Sequence, residues 1–407
     1  MTPPSHLRAR VRITTGAREL EKAQAIELQA KHFVKQADAW GSSCAYVIAC
    51  SKAKSLTPVP AGELYTSSRF RNQLKIAKHF SDQVFVLSAK YGILGLDETV
   101  APYDVTFPNG IFAAGAKIPN LRRLEKFQRV VSFGGGNYSE ILERHLAPTS
   151  HLVIPFKHLN SFDTARWGRV LQDLIYRRET ASEFYGVIQS FVDQNGIHSF
   201  ESFTSLQNLP RRGVYFFFDP DEETKWSGSV PRIVRIGTHA VSIGSKSTLR
   251  TRLRAHFGQK DRSGNHRASI FRLHVGNALI QSRSLSERYP NWGQGMSASK
   301  EIRAAERSLE IEVSEYLGRL LMTYVELSDL PGKQSQRSQL ENSAINFLGA
   351  DMIPIDEPSP NWLGRMALPK QIRETGLWNI QHNGLKFDRT ALKNIVNIAE
   401  NPILRDV

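Results

Sequence analysis

The sequence predicts an α/β domain with a mostly parallel sheet in its first half and an α+β domain in its second half. In the first half, three apolar runs of strand length alternate with helical segments, which is typical of parallel sheets covered on both faces. In the second half, two neighbouring strands form a hairpin that a helix follows. Because 407 residues exceed what one core usually organises, we expect two or three domains.

The first half has a regular order of elements. We predict, in chain order, a strand over 11–14, a helix over 18–40, a strand over 45–50, a helix over 70–79, strands over 84–87 and 129–133, and a helix over 138–146. A polar or glycine-rich loop follows each of the three buried strands. Since the carboxyl ends of parallel strands share one edge, where ligands bind, we expect a site there. Its candidate residues are Ser51, Lys54, Ser88, Lys90, Tyr91, Asp104 and Tyr138.

The second half follows a predicted helical linker over 179–209, which Asn195 and Gly196 interrupt. Beyond it we predict strands over 213–218 and 232–237, a helix over 247–256 and a long amphipathic helix over 300–321. The predicted organisation is therefore an N-terminal extension over 1–44, an α/β domain over 45–178, the linker, and a second domain over 210–407.

The chain is strongly basic. Its 53 lysines and arginines outnumber its 39 acidic residues, giving a net charge of +14, which favours a polyanionic partner such as nucleic acid. A merely basic soluble protein is the alternative. Between 250 and 272, histidines and aromatic residues interrupt a basic stripe, a composition suited to a phosphate backbone. The stripe consists of Arg250, Arg252, Arg254, Lys260, Arg262, Arg267 and Arg272, with Asp261 as its one acid.

Cysteine usage and hydropathy limit the compartment. Cys44 and Cys50 lie on one predicted strand, and two cysteines without Cys/His clusters argue against a disulfide framework and structural zinc. No apolar run approaches the roughly 20 residues of a membrane helix, and the first residues lack the apolar core of a secretory signal. We expect a cytoplasmic protein without a membrane partner. The oligomeric state stays open.

Several motifs of the second half share a recognisable order. They are Gly213-Val214-Tyr215 and Arg235-Ile236-Gly237 on the hairpin, then Arg252, Glu341 and Asn361. In this order they resemble the GIY-YIG nuclease family, over about residues 210–370. The resemblance implies an endonuclease that hydrolyses phosphodiester bonds of DNA and uses Mg²⁺ or Mn²⁺.

The resemblance also implies roles for the matching residues. Tyr215 takes a proton from the attacking water, Arg252 contacts the scissile phosphate, and Glu341 is the metal-binding carboxylate. Arg235 stands where the second motif usually has a tyrosine, so the chain departs from the family there. A guanidinium at this position either binds a phosphate or favours the phenolate of Tyr215.

Further residues complete the expected site. His239 is a candidate accessory donor, Asn361 is the candidate for the family's late asparagine, and His256, one helical turn after Arg252, is a proton carrier or a phosphate contact. The segment 265–272 is interpreted as a DNA-contacting element with Ile270 and Phe271 buried. The expected DNA contacts, of which Arg267 and Arg272 point outward, are Arg250, Arg254, His266, Arg267 and Arg272.

The first half resembles a poorly characterised domain family over residues 45–175. The motifs that carry this resemblance are Ala49-Cys50-Ser51-Lys52-Ala53-Lys54, Glu63-Leu64-Tyr65, Leu87-Ser88-Ala89-Lys90-Tyr91-Gly92 and Pro102-Tyr103-Asp104. The pattern also looks similar to uracil-DNA-glycosylase-like domains. That likeness implies that Asp104 stabilises charge on the sugar and that Tyr91 or Tyr138 stacks on an extruded base. The alternative is a turn after Pro102 without catalysis.

Three functions therefore compete. The first is a DNA endonuclease whose N-terminal domain recognises bases, including modified bases of phage DNA, in restriction or phage defence. The second is a DNA glycosylase in the N-terminal domain, with a C-terminal domain that nicks or only binds DNA. The third is a non-catalytic DNA-binding protein, in which Arg235 marks a decayed site.

Overall fold

The computed structural model describes residues 22, 25–105, 117–146, 148, 150–199, 209–259, 261–332 and 334–403. The chain divides into two compact units, Met1–Ile175 and Tyr176–Val407. The strand predicted over 11–14 lies outside the described residues, as does the start of the helix predicted over 18–40. No helix in the described part of the chain has the length and apolar character that a membrane crossing requires.

The first unit begins with helix α1 over residues 25–40. Its other elements are β1 (Cys44–Ala49), β2 (Val59–Pro60), α2 (Ala61–Leu64), α3 (Ser68–Phe80), β3 (Val84–Ser88), β4 (Gly92–Gly95), β5 (Thr99–Val100), α4 (Arg122–Glu125), β6 (Arg129–Ser132), α5 (Gly136–His145) and β7 (His151–Val153). Helix α6 (Ser161–Glu179) contains the division between the units.

The main sheet of the first unit has the strand order β4-β3-β1-β6-β7. Strand β1 is parallel to β3 and β6, β7 is parallel to β6, and only β4 is antiparallel. The prediction of a mostly parallel sheet is confirmed. From β1 the chain continues to β3 on one side and returns to β6 on the other, so the strand order reverses between β1 and β6.

Burial on both faces explains the continuous apolar sequence of β1. Ala45 and Val47 pack in a core with Leu142 of α5. On the opposite face, the ring of Tyr46 lies 5.5 Å from that of Phe133, which in turn contacts Trp167 of α6. Side chains of successive strand residues point to opposite faces, so a strand covered on both sides needs apolar residues throughout.

The second unit combines a sheet with helices on both faces. Its elements after α6 are α7 (Ala181–Asn195), β8 (His198–Ser199), β9 (Gly213–Phe218), β10 (Ile233–Gly237), α8 (Leu249–Phe257), α9 (Ile270–Ser282), α10 (Lys300–Arg319), β11 (Leu321–Glu326), α11 (Gln336–Gly349), α12 (Lys370–Thr375) and α13 (Ala391–Glu400). The sheet has the order β10-β9-β11-β8 and its pairs are antiparallel.

Strand β9 separates two cores. Phe216 and Phe218 face a core that α7, α11 and α13 complete, whereas Tyr215 and Phe217 face a core with residues of α8, α9 and α10. The alternation of side chains along a strand produces this division. It places Tyr215 on the face that carries the basic helix α8.

The division between the units falls before the helical linker that the sequence analysis placed at 179–209. Helix α7 buries Phe184, Tyr185 and Ile188 in the core of the second unit. Because these side chains share one helical face, α7 packs as part of that core. The helix ends at Asn195, and Gly196 follows with a φ of 78°, at the predicted interruption.

Candidate active site

A β-bulge brings Tyr215 and Arg235 to the same face of the sheet. Between Ile233 and Arg235 the register of the hairpin shifts, so that Arg235 lies opposite Phe217 and Gly237 lies opposite Tyr215. Directly paired residues of antiparallel strands share a face. The extra residue in β10 therefore turns the Arg235 side chain toward the core of Tyr215, as bulges do beside active sites.

Close backbone approach explains the glycines of the two hairpin motifs. A Cβ atom on Gly237 would overlap the Tyr215 hydroxyl, and one on Gly213 would lie 2.5 Å from the carbonyl oxygen of Val325 on β11. Only glycine fits where another group comes so near. The glycine of each motif thus allows the close packing that positions Tyr215 in the sheet.

Tyr215 begins a line of buried hydrogen bonds. Its hydroxyl lies 2.9 Å from Nε2 of His256, and Nδ1 of His256 lies 2.7 Å from the Ser269 hydroxyl. Tyr215 and His256 are completely buried. Burial and the charges of Arg235, Arg252 and Arg272 hold the pKa of His256 well below its ordinary value. The imidazole is therefore neutral, with one nitrogen that donates and one that accepts.

Arg235 lies against Tyr215 inside the protein. The side chain is 5% exposed, and Nη1 donates a hydrogen bond to the Trp378 carbonyl at 2.8 Å. The guanidinium also lies 4.6 Å from the ring centre of Phe271 and interacts electrostatically with Tyr215. Burial lowers the pKa of Arg235, and Tyr215 opposes this effect. The sequence left two roles open for Arg235, and its position beside Tyr215 fits the second, an interaction that favours the Tyr215 phenolate.

Arg252 and Glu341 form the part of the cluster that reaches the surface. Both side chains are partly exposed. The backbone of Thr238 favours the charged form of Glu341 on α11. Burial raises the pKa of the Glu341 carboxyl to about 7, and the charges of Arg235 and Arg252 oppose that rise. The residues brought together are thus Tyr215, Arg235, Arg252, His256 and Glu341.

His239 lies beside this cluster in a neutral form. Its side chain is 5% exposed, and Nε2 bonds to the Arg211 carbonyl at 3.1 Å. Burial and the charge of Arg337 lower the pKa of His239 to about 4. Nδ1 has no hydrogen-bond partner among the described residues.

Asn361 is exposed on a turn, and the asparagine that holds the strand of the second motif is Asn379. The Asn379 amide donates to the Ile236 carbonyl at 2.7 Å, and its Oδ1 accepts from the Ile236 N–H at 3.1 Å. Because β10 is an edge strand, its outer backbone groups need such partners. The sequence signal is a polar residue between apolar ones, in Leu377-Trp378-Asn379-Ile380.

Arg267, Arg272 and His266 do not point outward, which corrects the interpretation of segment 265–272. Arg267 is 4% exposed and forms two hydrogen bonds with the carboxylate of Glu306. Arg272 is completely buried and bonds Glu310 at 2.6 Å. Both acids lie on the buried face of α10. They neutralise the basic charges of segment 265–272 inside the protein.

His266 is likewise internal, and its neighbour Ile270 is not. The His266 ring stacks on Trp292 at 3.8 Å, and Nδ1 bonds Glu310 at 2.9 Å. Ile270, which we expected to be buried, is 47% exposed, whereas Phe271 is buried as expected.

Segment 265–272 instead positions His256. Arg272 donates to the His256 carbonyl at 2.8 Å, and Ser269, which caps α9, bonds the His256 ring. The exposed basic residues near the cluster lie on α8, where Arg254 is exposed and Arg250 is partly exposed. Lys260 lies outside the described residues.

The candidates of the first unit form two separate groups. Ser88 donates to the Tyr103 hydroxyl at 2.8 Å, Nζ of Lys54 lies 4.3 Å from the Tyr103 ring centre, and Tyr91 packs edge-on against the same ring. Lys90 and Asp104 are exposed. The second group contains Ser51 and Tyr138, which line a cavity of about 260 Å³ between the ends of β1 and β6.

The donor set of the second unit suits a hard divalent cation. Within the described residues, no group of three or more His, Cys, Asp or Glu side chains is arranged to hold a metal. Magnesium commonly binds to one or two carboxylates and completes its shell with water and substrate phosphate oxygens. Glu341, a partly exposed carboxylate beside Arg252, fits this mode.

Comparisons with known proteins place both halves of the chain. The family model described as GIY-YIG domain matches residues 175–402, and the one described as family of unknown function (DUF6884) matches residues 45–169. No curated protein and no solved structure matches. The GIY-YIG resemblance is confirmed, whereas the likeness to uracil-DNA-glycosylase-like domains is not supported.

Replacing Arg272 by methionine should destabilise the second unit strongly. The change leaves the buried Glu310 carboxylate without its cation, for which the expected cost is about 3–5 kcal/mol of unfolding free energy. The matched control is Arg262→Met, which breaks an exposed pair with Glu315 and should cost less than about 1 kcal/mol. Urea unfolding followed by tryptophan fluorescence measures both. Equal costs would contradict the structural role of Arg272.

Replacing Glu341 by glutamine should stabilise the metal-free protein at neutral pH. The carboxyl pKa is about 7 in the folded chain against an ordinary value of 4.5, so the unfolded chain releases this proton first as pH rises. Native stability therefore falls between these two pH values and stays level above them. The advantage of the variant should grow by up to about 3 kcal/mol over this window.

Unfolding in chelator on either side of this window, near the two ends of the carboxyl titration, measures the advantage. The exposed Glu357→Gln is the control. An advantage that does not change with pH would show that the carboxyl titrates normally.

Proposed function

The chain belongs to the GIY-YIG domain family, and from this membership we propose that its second unit is a hydrolytic endonuclease acting on DNA. The GIY-YIG domain supports a nuclease-type function, implies DNA as the substrate and is typical of enzymes that use divalent metal ions. The observation that carries the proposal is the cluster in which Arg252 and Glu341 reach the surface while Tyr215, Arg235 and His256 lie buried with them.

We assign the two partly exposed residues of the cluster, Arg252 and Glu341, to binding of the substrate and of the cation. The Arg252 guanidinium binds the scissile phosphate, where its donors match the charge that builds on the phosphoryl oxygens. Glu341 is the residue that would hold Mg²⁺ or Mn²⁺. When bound, the cation supplies positive charge that stabilises the leaving oxygen.

The buried members move the proton in this proposal. As water attacks phosphorus and the bond to the leaving oxygen breaks, Tyr215 takes a proton from the water. Tyr215 accepts this proton as a phenolate that Arg235 favours, and the phenol it becomes is held by its hydrogen bond with Nε2 of His256, whose Nδ1 bonds Ser269. Arg235 presents a positive charge to the Tyr215 oxygen throughout. Because Tyr215 is enclosed in the free protein, the proposal requires a rearrangement that opens a path for water to its hydroxyl when DNA binds.

We propose that the first unit, which contains most of the domain predicted over 45–178, recognises a base or a modified base of DNA. The domain predicted over 210–407 cuts the same DNA in this proposal. Recognition coupled to cleavage favours a role in restriction or phage defence. Base removal by this unit has less support, because Asp104 is exposed and is not among the residues that line the cavity with Ser51 and Tyr138.

A non-catalytic DNA-binding protein is the second candidate function. The observation that favours it is the enclosure of Tyr215 and His256, together with Arg235 in place of the usual tyrosine. Its exposed arginines on α8 would still bind the phosphate backbone.

Glu341→Ala should abolish cleavage and leave DNA binding intact. The protein is incubated with plasmid DNA and with phage DNA that carries modified cytosines, in magnesium, manganese or chelator, and nicks and abasic sites are scored separately. Glu357→Ala, an exposed glutamate of the same unit, is the matched control and should still nick. Binding should remain salt-sensitive in both variants.

Each alternative has its own outcome in this assay. Cleavage that survives in Glu341→Ala would remove Glu341 from the mechanism. Binding without nicks in the unchanged protein would favour the non-catalytic function, and abasic sites that form in chelator would move the chemistry to the first unit.

Tyr215→Phe should lower the single-turnover nicking rate by roughly 10²- to 10⁴-fold, the usual contribution of a positioned proton-transfer group. Removing only the hydroxyl oxygen keeps the packed ring. The control is Tyr289→Phe, another buried tyrosine, whose hydroxyl bonds Ser308 at 2.8 Å. If both variants nick at the same rate, the Tyr215 hydroxyl has no part in proton transfer.

A further inference from the structure

The cavity of the first unit lies where the strand order of its sheet reverses. Cys50 and Ser51, which follow β1, form one side of it, and Phe133 and Gly135, which follow β6, form the other. In open sheets with parallel strands, ligands bind beyond the carboxyl ends of the two strands at this switch point. The candidates around Tyr103 lie at the end of β3 instead, and their polar groups bond one another.

The walls of the cavity suit a flat apolar ring. Phe70 and Phe133 are each 1% exposed and provide buried aromatic surface. The half-buried Tyr138 adds a third ring, and its hydroxyl lies 3.5 Å from Sγ of Cys50. Aromatic side chains that surround a concave site stack on nucleobases without regard to base identity.

Gln73 of α3 brings an amide to this apolar site. The residue is 9% exposed. It lines this cavity and an adjoining one of about 490 Å³. A glutamine amide offers one donor edge and one acceptor, the pattern that pairs with a base edge such as that of adenine.

A cation and an open backbone lie at the mouth of the same cavity. Arg69 is exposed and lines both cavities. One of its terminal nitrogens lies 4.0 Å from where a Cβ atom on Gly135 would be, and nothing lies within 4 Å of that position on Gly136. The glycines leave room for an anion beside the guanidinium, whose donors match phosphate oxygens.

We propose that this cavity binds one nucleotide, with the base among Phe70, Phe133 and Tyr138, its edge on Gln73 and its phosphate on Arg69. The volume lies near the lower limit of ligand pockets, about 300 Å³, which fits a single base. The inference deepens the proposed function, on which it rests for the presence of DNA. The nucleotide is either free or part of a DNA strand, as an unpaired base turned out of the duplex.

Binding to the full-length protein in chelator tests this site without cleavage. Calorimetry is carried out with the four deoxynucleoside monophosphates, the matching nucleosides, inorganic phosphate, and a duplex oligonucleotide with one unpaired base beside its fully paired counterpart. Saturable binding of a monophosphate supports a free nucleotide. Preference for the unpaired-base duplex, without binding of monophosphates, supports a nucleotide held in DNA.

Two variants test which residue binds the phosphate of the ligand and which binds its base. Arg69→Gln should weaken binding of the monophosphate or the unpaired-base duplex at least tenfold and leave the nucleoside unaffected. Gln73→Leu should weaken the nucleoside as well and should reduce discrimination among bases. Arg71→Gln, an exposed arginine of the same helix that lines neither cavity, is the matched control and should bind normally. Because Arg69 is exposed, its variant tests the proposal even if the buried Gln73→Leu misfolds.

Two results would overturn the inference. One is the absence of saturable monophosphate binding below roughly 1 mM together with equal binding of the unpaired-base duplex and its paired counterpart, and the other is equal loss in Arg69→Gln and Arg71→Gln. Glu341→Ala separates this site from the nuclease. This variant should bind the nucleotide probes as the unchanged protein does. If the unchanged protein binds base-selectively but does not cleave, only the nuclease is rejected, and if it cleaves without such binding, only the nucleotide site is rejected.

Discussion

The second unit depends on the buried ion pair between Arg272 and Glu310. The guanidinium bonds the carboxylate, the Glu310 carbonyl and the His256 carbonyl at once, and so ties α8, α9 and α10 together. A buried charge is tolerated only when its partner and its remaining hydrogen bonds are all present. His256, and through it the Tyr215 hydroxyl, is therefore fixed by charges that lie far from the hairpin in sequence.

The same arrangement divides the cluster into two layers. The enclosed layer is Tyr215, Arg235 and His256, and the partly exposed layer is Arg252 and Glu341. Burial and the charges of Arg235 and Arg272 keep His256 neutral, so its ring hydrogen-bonds the Tyr215 hydroxyl without adding a further charge. Arg252 and Glu341 are partly exposed. A substrate phosphate would meet the guanidinium there, and a cation would meet the Glu341 carboxyl and favour its charged form. The enclosed layer is thereby preorganised before substrate arrives, which is the usual source of electrostatic catalysis.

The sequence predicted the features that local pattern and spacing determine. The parallel strands, the hairpin, and the short spacing from Arg252 to His256 on one helix all follow from residues close together in the chain. It failed where long-range partners decide. The acids that pair with Arg267 and Arg272 lie some forty residues later, on a helix interpreted as scaffold. Asn379 was missed, because pairing with the edge of β10 leaves only a weak local signal.

Arg235 shows how a departure from a family motif can keep a site consistent. A tyrosine at this position could offer a hydrogen bond but no charge, whereas the guanidinium interacts with both Tyr215 and Glu341. Its burial is helped by the hydrogen bond to the Trp378 carbonyl and by the ring of Phe271 against the guanidinium. Even so, the pKa of Glu341 stays near 7, so the two neighbouring arginines do not offset the cost of its burial. The carboxylate therefore retains capacity for further positive charge, which is the property expected of a residue that holds a divalent cation.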